Sequence, residues 1–181
     1  MAAKAVKALV WAVALCGATF FANAAWAVDS AALSSNPGFQ FKPWPRNQAV
    51  PALVGIDLNG NSWNLKALRG QPVLINFWAS WCEPCRAEMP SLQTLAERRS
   101  PRVLAVNFKE SPAAVQRFVQ QTQLRLPVLL DVDGAWAKQW GVSIFPSTVL
   151  IGADGKVRGT VVGELDWTGD AAQPVLRRLG L

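Results

Sequence analysis

Short apolar runs and polar stretches with helical spacing alternate along this chain. The strongest apolar run is Val73-Leu74-Ile75-Asn76-Phe77-Trp78, which reads as a buried strand. Arg86 to Glu97 follows with polar and charged residues at helical spacing, and Pro90 inside it is expected to kink that helix, because proline removes a backbone donor. Arg102 to Phe108 is a second apolar strand. Ser111-Pro112 opens a helix with proline at its first position, and Val115, Phe118 and Val119 recur on one face. Leu126 to Leu130 reads as a short strand and Gly134 to Trp140 as a short helix, whose Trp136 and Trp140 form one apolar stripe facing the core. Ser147 to Ile151, the turn Ala153-Asp154-Gly155 and Lys156 to Gly163 make a strand–turn–strand unit. Trp167 to Leu181 is expected to be a terminal helix, weakened by Pro174.

Upstream of the main strand, Val54 to Leu58 and Ser62 to Leu65 flank Asn59-Gly60-Asn61, a sequence suited to a tight turn, so a β-hairpin is expected. Lys66 to Gly70 is a helical turn closed by glycine. Residues 28–50 are rich in Ser, Asn, Pro and Gly and read as a linker, with Phe39, Phe41 and Trp44 packing on the domain edge. The resulting order, β-β-α-β-α-β-α-β-β-α over residues 51–181, is one α/β domain built on a sheet of mixed strand directions.

The first 27 residues have a different character. Lys4 and Lys7 precede an uncharged run from Ala8 to Val28, and the triplets Ala22-Asn23-Ala24 and Ala25-Trp26-Ala27 suit cleavage after small residues. This is the layout of a secretory signal peptide. A membrane anchor through residues 8–28 is the competing reading, since 21 uncharged residues just reach the length of a spanning helix. Both place the domain outside the cytoplasm, in a bacterial periplasm or anchored to the inner membrane and facing it.

The net charge of +6 falls to +4 once residues 1–27 are set aside, with 16 basic against 12 acidic residues. Arg98-Arg99 and Arg177-Arg178 are only pairs, so no basic footprint for nucleic acid is present. The chain contains no histidine, which excludes Ser-His-Asp triads, Cys-His nucleophiles and histidine-ligated metals or haem. Of its three cysteines, Cys16 lies in the N-terminal run, leaving Cys82 and Cys85.

Those two thiols sit where the strand Val73–Trp78 hands over to a helix. A helix N-terminus presents free N–H groups and partial positive charge, which stabilise a thiolate, the reactive form of cysteine. A second thiol three residues on can resolve a mixed disulfide, which suffices to move two electrons between dithiols and disulfides. A structural cross-link of so small a loop would gain little entropy. A zinc site lacks its remaining ligands. Glu83 is either a first-turn acid favouring the helix dipole or a carboxylate that raises the cost of the Cys82 thiolate. Glu88, three positions after Cys85 and on its face, is either a solvent-facing acid or a proton carrier for Cys85.

Asn76-Phe-Trp-Ala-Ser-Trp-Cys-Glu-Pro-Cys-Arg-Ala-Glu-Met-Pro-Ser-Leu92, then Val142-Ser-Ile-Phe-Pro-Ser-Thr148 and Asp154-Gly155, resemble the thioredoxin-like thiol–disulfide oxidoreductases. The resemblance is to their periplasmic TlpA-like branch, which includes reductases of cytochrome c maturation. It implies a thioredoxin-like fold, with a central mixed β-sheet flanked by helices, an N-terminal β-hairpin and a central strand–helix insertion over residues 102–130. It implies that Cys82 is the nucleophile, Cys85 the buried resolving thiol and Pro146 a cis-proline beside them, leaving the backbone of Phe145 to meet an extended substrate. Trp81 and Pro84 complete the expected docking surface with Glu83. Thioredoxins proper carry a buried aspartate where Asn76 stands; the TlpA-like reductases carry a helix glutamate that matches Glu88.

The expected function is therefore a periplasmic thiol–disulfide oxidoreductase, a reductase of secreted or cytochrome-maturation substrates. Its partners are disulfide-containing proteins and a membrane thiol donor; it is expected to be a monomer without cofactor or metal. A thiol oxidase or disulfide isomerase on the same fold and a non-enzymatic binding module are the alternatives. A copper carrier lacks its usual histidine. A peroxiredoxin is rejected because Ala79 and Ile75 stand where that chemistry needs Thr and Pro.

Overall fold

The structure is a computed structural model describing residues 38–98 and 100–181. The signal-peptide or anchor segment, residues 1–27, lies outside the described residues. Among the described residues no helix is long and apolar enough to cross a membrane.

A six-stranded mixed sheet forms the centre. Its strands are β1 (Phe39–Pro43), β4 (Val73–Trp78), β5 (Arg102–Phe108), β6 (Val128–Asp131), β7 (Ser147–Ile151) and β8 (Val157–Gly163), in spatial order β1-β8-β7-β4-β5-β6. β4, β5 and β6 run parallel; β7, β8 and β1 continue the sheet antiparallel. The parallel steps need crossovers, supplied by α1 (Glu83–Glu97) and α2 (Pro112–Thr122). This is the thioredoxin-like α/β architecture with the hairpin and the added strand–helix unit.

β4 is buried at all six positions, and its two faces feed separate cores. Leu74 and Trp78 pack with Met89, Leu92 and Leu95 of α1 and Phe118 of α2. Val73, Ile75 and Phe77 pack with Leu53, Leu65, Ala137 and Trp140 on the other side. Period-two alternation thus puts Asn76 on the face that meets the redox helix. Trp140 is buried as expected, while Trp136 is partly buried against the same cluster.

Of three expectations, the first and third need correction, and the second, the hairpin, is met. The stretch read as linker contains β1, in which buried Phe39 and Phe41 alternate with exposed Gln40 and Lys42. It packs closely: a Cβ on Gly163 of β8, at φ 103°, would stand 2.5 Å from the Gly38 carbonyl. Trp44, just beyond, rests on Trp140 with ring centroids 5.9 Å apart. Second, the hairpin strands β2 (Val54–Ile56) and β3 (Ser62–Asn64) form their own ribbon, docked on β6 through an Asp57–Leu129 bridge and a bond from Leu58 N–H to Val128 O of 2.9 Å. Asp57 organises its turn, accepting from the Asn59 and Asn61 N–H groups and the Trp63 indole. Third, the terminal helix shrinks to a 3₁₀ turn (Asp170–Ala172) and α4 (Gln173–Arg177). Asp166 ties Thr168 and Gly169 into a turn, and Pro174 falls in the first turn of α4, where its missing N–H costs nothing. Pro90, in contrast, does not end α1, which runs on to Glu97.

Candidate active site

The chain leaves β4 at Trp78, turns through Ala79, Ser80 and Trp81, and enters α1 at Cys82. Cys82 is the N-cap residue of that helix, and its sulfur accepts the Cys85 N–H at 3.3 Å. The Cys82 sulfur therefore sits on an orphan donor at the positive end of a fifteen-residue helix, where a thiolate is stabilised. Cys82 and Cys85 are joined, with an S–S distance of 2.03 Å. Cys85 is fully buried and Cys82 is 6 % exposed, so Cys82 is the more accessible of the two sulfurs. Pro84 lies in the first helical turn and is exposed.

Glu83 is exposed and faces away from isolation: its carboxylate pairs with Arg86 at 3.5 Å across one helical turn. That cation offsets part of the repulsion Glu83 would exert on a Cys82 thiolate.

Glu88 is a buried residue, 2 % exposed, and the reading of it as a solvent-facing acid is overturned. Its Oε1 accepts from Asn76 Nδ2 at 2.6 Å and its Oε2 from the Leu165 N–H at 3.3 Å. Burial pushes the Glu88 carboxyl up to about 8; the Leu165 and Asn76 donors pull against that rise, and the charge of Glu164 adds to it. The Trp167 indole also favours the anion without reaching hydrogen-bond geometry. One turn on, Ser91 Oγ accepts the Trp167 N–H at 3.0 Å. Glu88 and Ser91 together pin the 165–167 segment to the redox helix.

Phe145 and Pro146 come up beside the helix start from the loop before β7. The Phe145–Pro146 bond is cis and Pro146 is buried. Phe145 is half-buried; its ring lies 4.7 Å from Phe108 and edge-on to Trp81 at 6.2 Å. Trp81 is 67 % exposed and Ile144 53 %, which gives the sulfur pair an apolar rim. Among the described residues no cluster of His, Cys, Asp or Glu can hold a metal.

Of the residues around Glu88, Asn76 and Thr148 stand inside motifs read in the sequence, while Leu165, from the loop after β8, escapes a reading by motif. Asn76 and Thr148 stand opposite each other in the β4–β7 register, and the amide also donates to Thr148 Oγ1 at 3.0 Å. The alternation of β4 is the signal that points Asn76 toward α1.

Known proteins share this arrangement. The chain matches the redoxin family over residues 45–176. The thiol–disulfide oxidoreductase ResA of Bacillus thuringiensis subsp. konkukian is 38% identical over 118 residues, spanning 64% of this chain and 68% of that protein. ResA of Bacillus subtilis is 36% identical over 119 residues, spanning 64% and 66%. Among solved structures, a Chlorobium tepidum protein described as thiol:disulfide interchange protein DsbE superposes with a TM-score of 0.65 at 29% identity, over 77% of this chain and 98% of that one.

Proposed function

The chain belongs to the redoxin family and is a thioredoxin-like thiol–disulfide oxidoreductase of the TlpA type, and from that premise we propose that it works as a reductase outside the cytoplasm. Its substrates are disulfide-containing proteins; in our reading these are secreted chains of the cytochrome-maturation kind, and a membrane thiol donor recharges the pair. The N-terminal run of residues 1–27, with its small-residue triplets, supports export or anchoring on the far side of the membrane. We take the working unit to be a monomer.

The observation that carries the reductive direction is the buried Glu88, held on the face of Cys85. Burial of Cys85 and, where Glu88 is ionised, the like charge beside it make a thiolate there less favourable, so the disulfide form of the enzyme is preferred and the couple is reducing. In the first step the Cys82 thiolate attacks one sulfur of the substrate disulfide, and the second substrate sulfur leaves as thiolate. Cys85 then gives its proton to ionised Glu88 and attacks Cys82. The mixed bond breaks, the remaining substrate sulfur leaves as a thiolate, Cys82–Cys85 closes, and the two substrate thiolates take their protons from solvent as the product departs. Trp81, Glu83, Pro84, Phe145 and Pro146 form the surface the substrate segment meets.

Equilibration of the purified protein with glutathione buffers tests the direction. We expect a potential below about −200 mV; a value near about −120 mV would replace the reductase with an oxidase. Fusion of residues 1–50 to alkaline phosphatase, which is active only where disulfides form, tests the compartment. An inactive fusion would remove the export reading.

A further inference from the structure

We propose that Glu110 is a positioning residue for Cys82, fixing from the loop after the neighbouring strand β5 the turn that carries the attacking sulfur. Its Oε2 accepts the Ser80 N–H at 2.7 Å and Asn107 Nδ2 at 2.7 Å, and its Oε1 accepts the Ser80 hydroxyl. Ser80 lies inside the turn that ends on the nucleophile, closed by a bond from Cys82 N–H to Ala79 O of 3.2 Å. One carboxylate therefore gathers three neutral donors, two of them from the residue two places before the reactive sulfur.

The chain bends sharply to deliver that carboxylate. Lys109, directly after β5, has φ 54°, in the left-handed region that a residue with a side chain occupies only at a cost. The conformation is held from several sides. Lys109 N–H donates to Asp131 O at 3.0 Å, and the Lys109 side chain lies so close over Gly134 that a Cβ there would stand 2.5 Å from Cε. A costly backbone state that is so firmly secured, and that turns the next residue onto the redox turn, is the pattern of a functional constraint.

The tie matters most in the dithiol form. While the Cys82–Cys85 bond exists, that covalent link holds Cys82 alongside the Glu110 bonds. Reduction removes that link. Glu110 then keeps Cys82 Sγ against the Cys85 N–H, which stabilises its thiolate. Loosening the turn would therefore raise the cost of the thiolate and shift the couple toward the disulfide. The inference rests on Cys82 as the attacking sulfur. Wild-type protein in which Cys82 alkylates no faster than Cys85 would overturn that role by itself, whatever the Glu110 variants do.

The test compares Glu110→Ala and Glu110→Gln in the purified protein, by glutathione equilibrium, by the rate and pH profile of Cys82 alkylation with iodoacetamide, and by cooperative thermal unfolding. In Glu110→Ala we expect the equilibrium to move about fivefold toward the disulfide and Cys82 alkylation at neutral pH to slow about threefold. Glu110→Gln should stay close to wild type. Its oxygen can accept from Ser80, and its NH₂ can meet Asn107 Oδ1, a buried atom without a partner, once that amide rotates. A folded Glu110→Ala with unchanged equilibrium and rate would overturn the proposal. So would Glu110→Gln as impaired as Ala, since charge and not position would then be responsible. If Glu110→Ala does not fold, Ser80→Ala, which removes one of the three bonds, should shift the equilibrium about twofold in the same direction; no shift would count against the proposal.

Discussion

Asn76 Nδ2 donates to Glu88 Oε1 at 2.6 Å, joining the middle of the central strand to the helix that carries both cysteines. The two residues are twelve apart in sequence and both are buried. The acid of this site is on the helix, and the strand supplies the amide that orients it. Asn76 in turn is held by Thr148 on the neighbouring strand. Donors reach both Glu88 oxygens, which favours the anion, while burial favours the neutral acid; the outcome, about 8, leaves the group able to hold or release a proton near neutrality.

That balance has a measurable cost in stability. The Glu88 carboxyl titrates at about 8 in the fold against 4.5 without it. Between those values the folded chain keeps a proton that the unfolded chain has lost. The contribution is therefore fully present below pH 4.5, is lost as pH rises through about 8, and levels off above. Urea unfolding at pH 5 and pH 8.5 should show wild type losing roughly 2 kcal/mol or more relative to Glu88→Gln over that interval, on the scale of about 1.4 kcal/mol per unit. Parallel losses in the two proteins would mean that Glu88 titrates as an ordinary acid.

The same substitution should slow chemistry. Without a carboxylate to take the Cys85 proton, resolution of the mixed disulfide in Glu88→Gln is expected to fall about 10²-fold at neutral pH. Its pH profile should lose the inflection near 8 set by Glu88. Stopped-flow traces from pH 5 to 9 decide this, and superimposable profiles would leave proton transfer to water.

Returning an acid to the strand should be harmful. Asn76→Asp sets a second carboxyl against Glu88 and removes an N–H donor from both Glu88 and Thr148. Like charges so close cannot both ionise, so one stays protonated or the pair separates. We expect a loss of about 3 kcal/mol at pH 8.5 and a smaller one at pH 5. An equal loss at both pH values would show that packing, not charge, is at issue.

The division of labour between the sulfurs predicts a trap. Cys85→Ser should accumulate covalent complexes through Cys82, while Cys82→Ser should accumulate none. The test is capture of partners from an extracytoplasmic extract, followed by release with reductant. The opposite pattern would exchange the two roles.

Phe41, 3 % exposed on β1, tests where the domain begins. Phe41→Ala should cost about 3–5 kcal/mol in denaturant unfolding. The redox equilibrium should not change. A cost below about 1 kcal/mol would return the segment to a linker.

The central strand, the redox helix and the Cys pair were legible because each has its own local signal: an unbroken apolar run, helical spacing, and two thiols at the junction. β1 was hidden because only Phe39 and Phe41 are apolar in it, and they lie among Pro, Asn and Ser. Its strand character comes from pairing with β8, more than a hundred residues on in the chain, as in Phe41 opposite Val161. The terminal helix was overread because the turn that Asp166 imposes leaves no periodic trace. Burial of Glu88 follows from packing against Asn76 and Leu165, which no spacing within α1 encodes. Glu110 was passed over for the same reason, since its partners Ser80 and Asn107 belong to other elements.

The outer borders of the sheet bear on how this protein meets other chains. On one side the last strand is β1, five residues long and ending in Lys42-Pro43; on the other, β6 is shielded by the hairpin at Asp57 and Leu58. A short border with a lysine and a proline, and a border already covered, are both poor templates for another polypeptide to extend. A thiol–disulfide oxidoreductase is exposed to any free strands that disulfide-containing chains carry. Among the described residues neither border offers such strands a ready place to add to the sheet, which leaves the exposed rim at Trp81 and Ile144 without competition from the sheet edges.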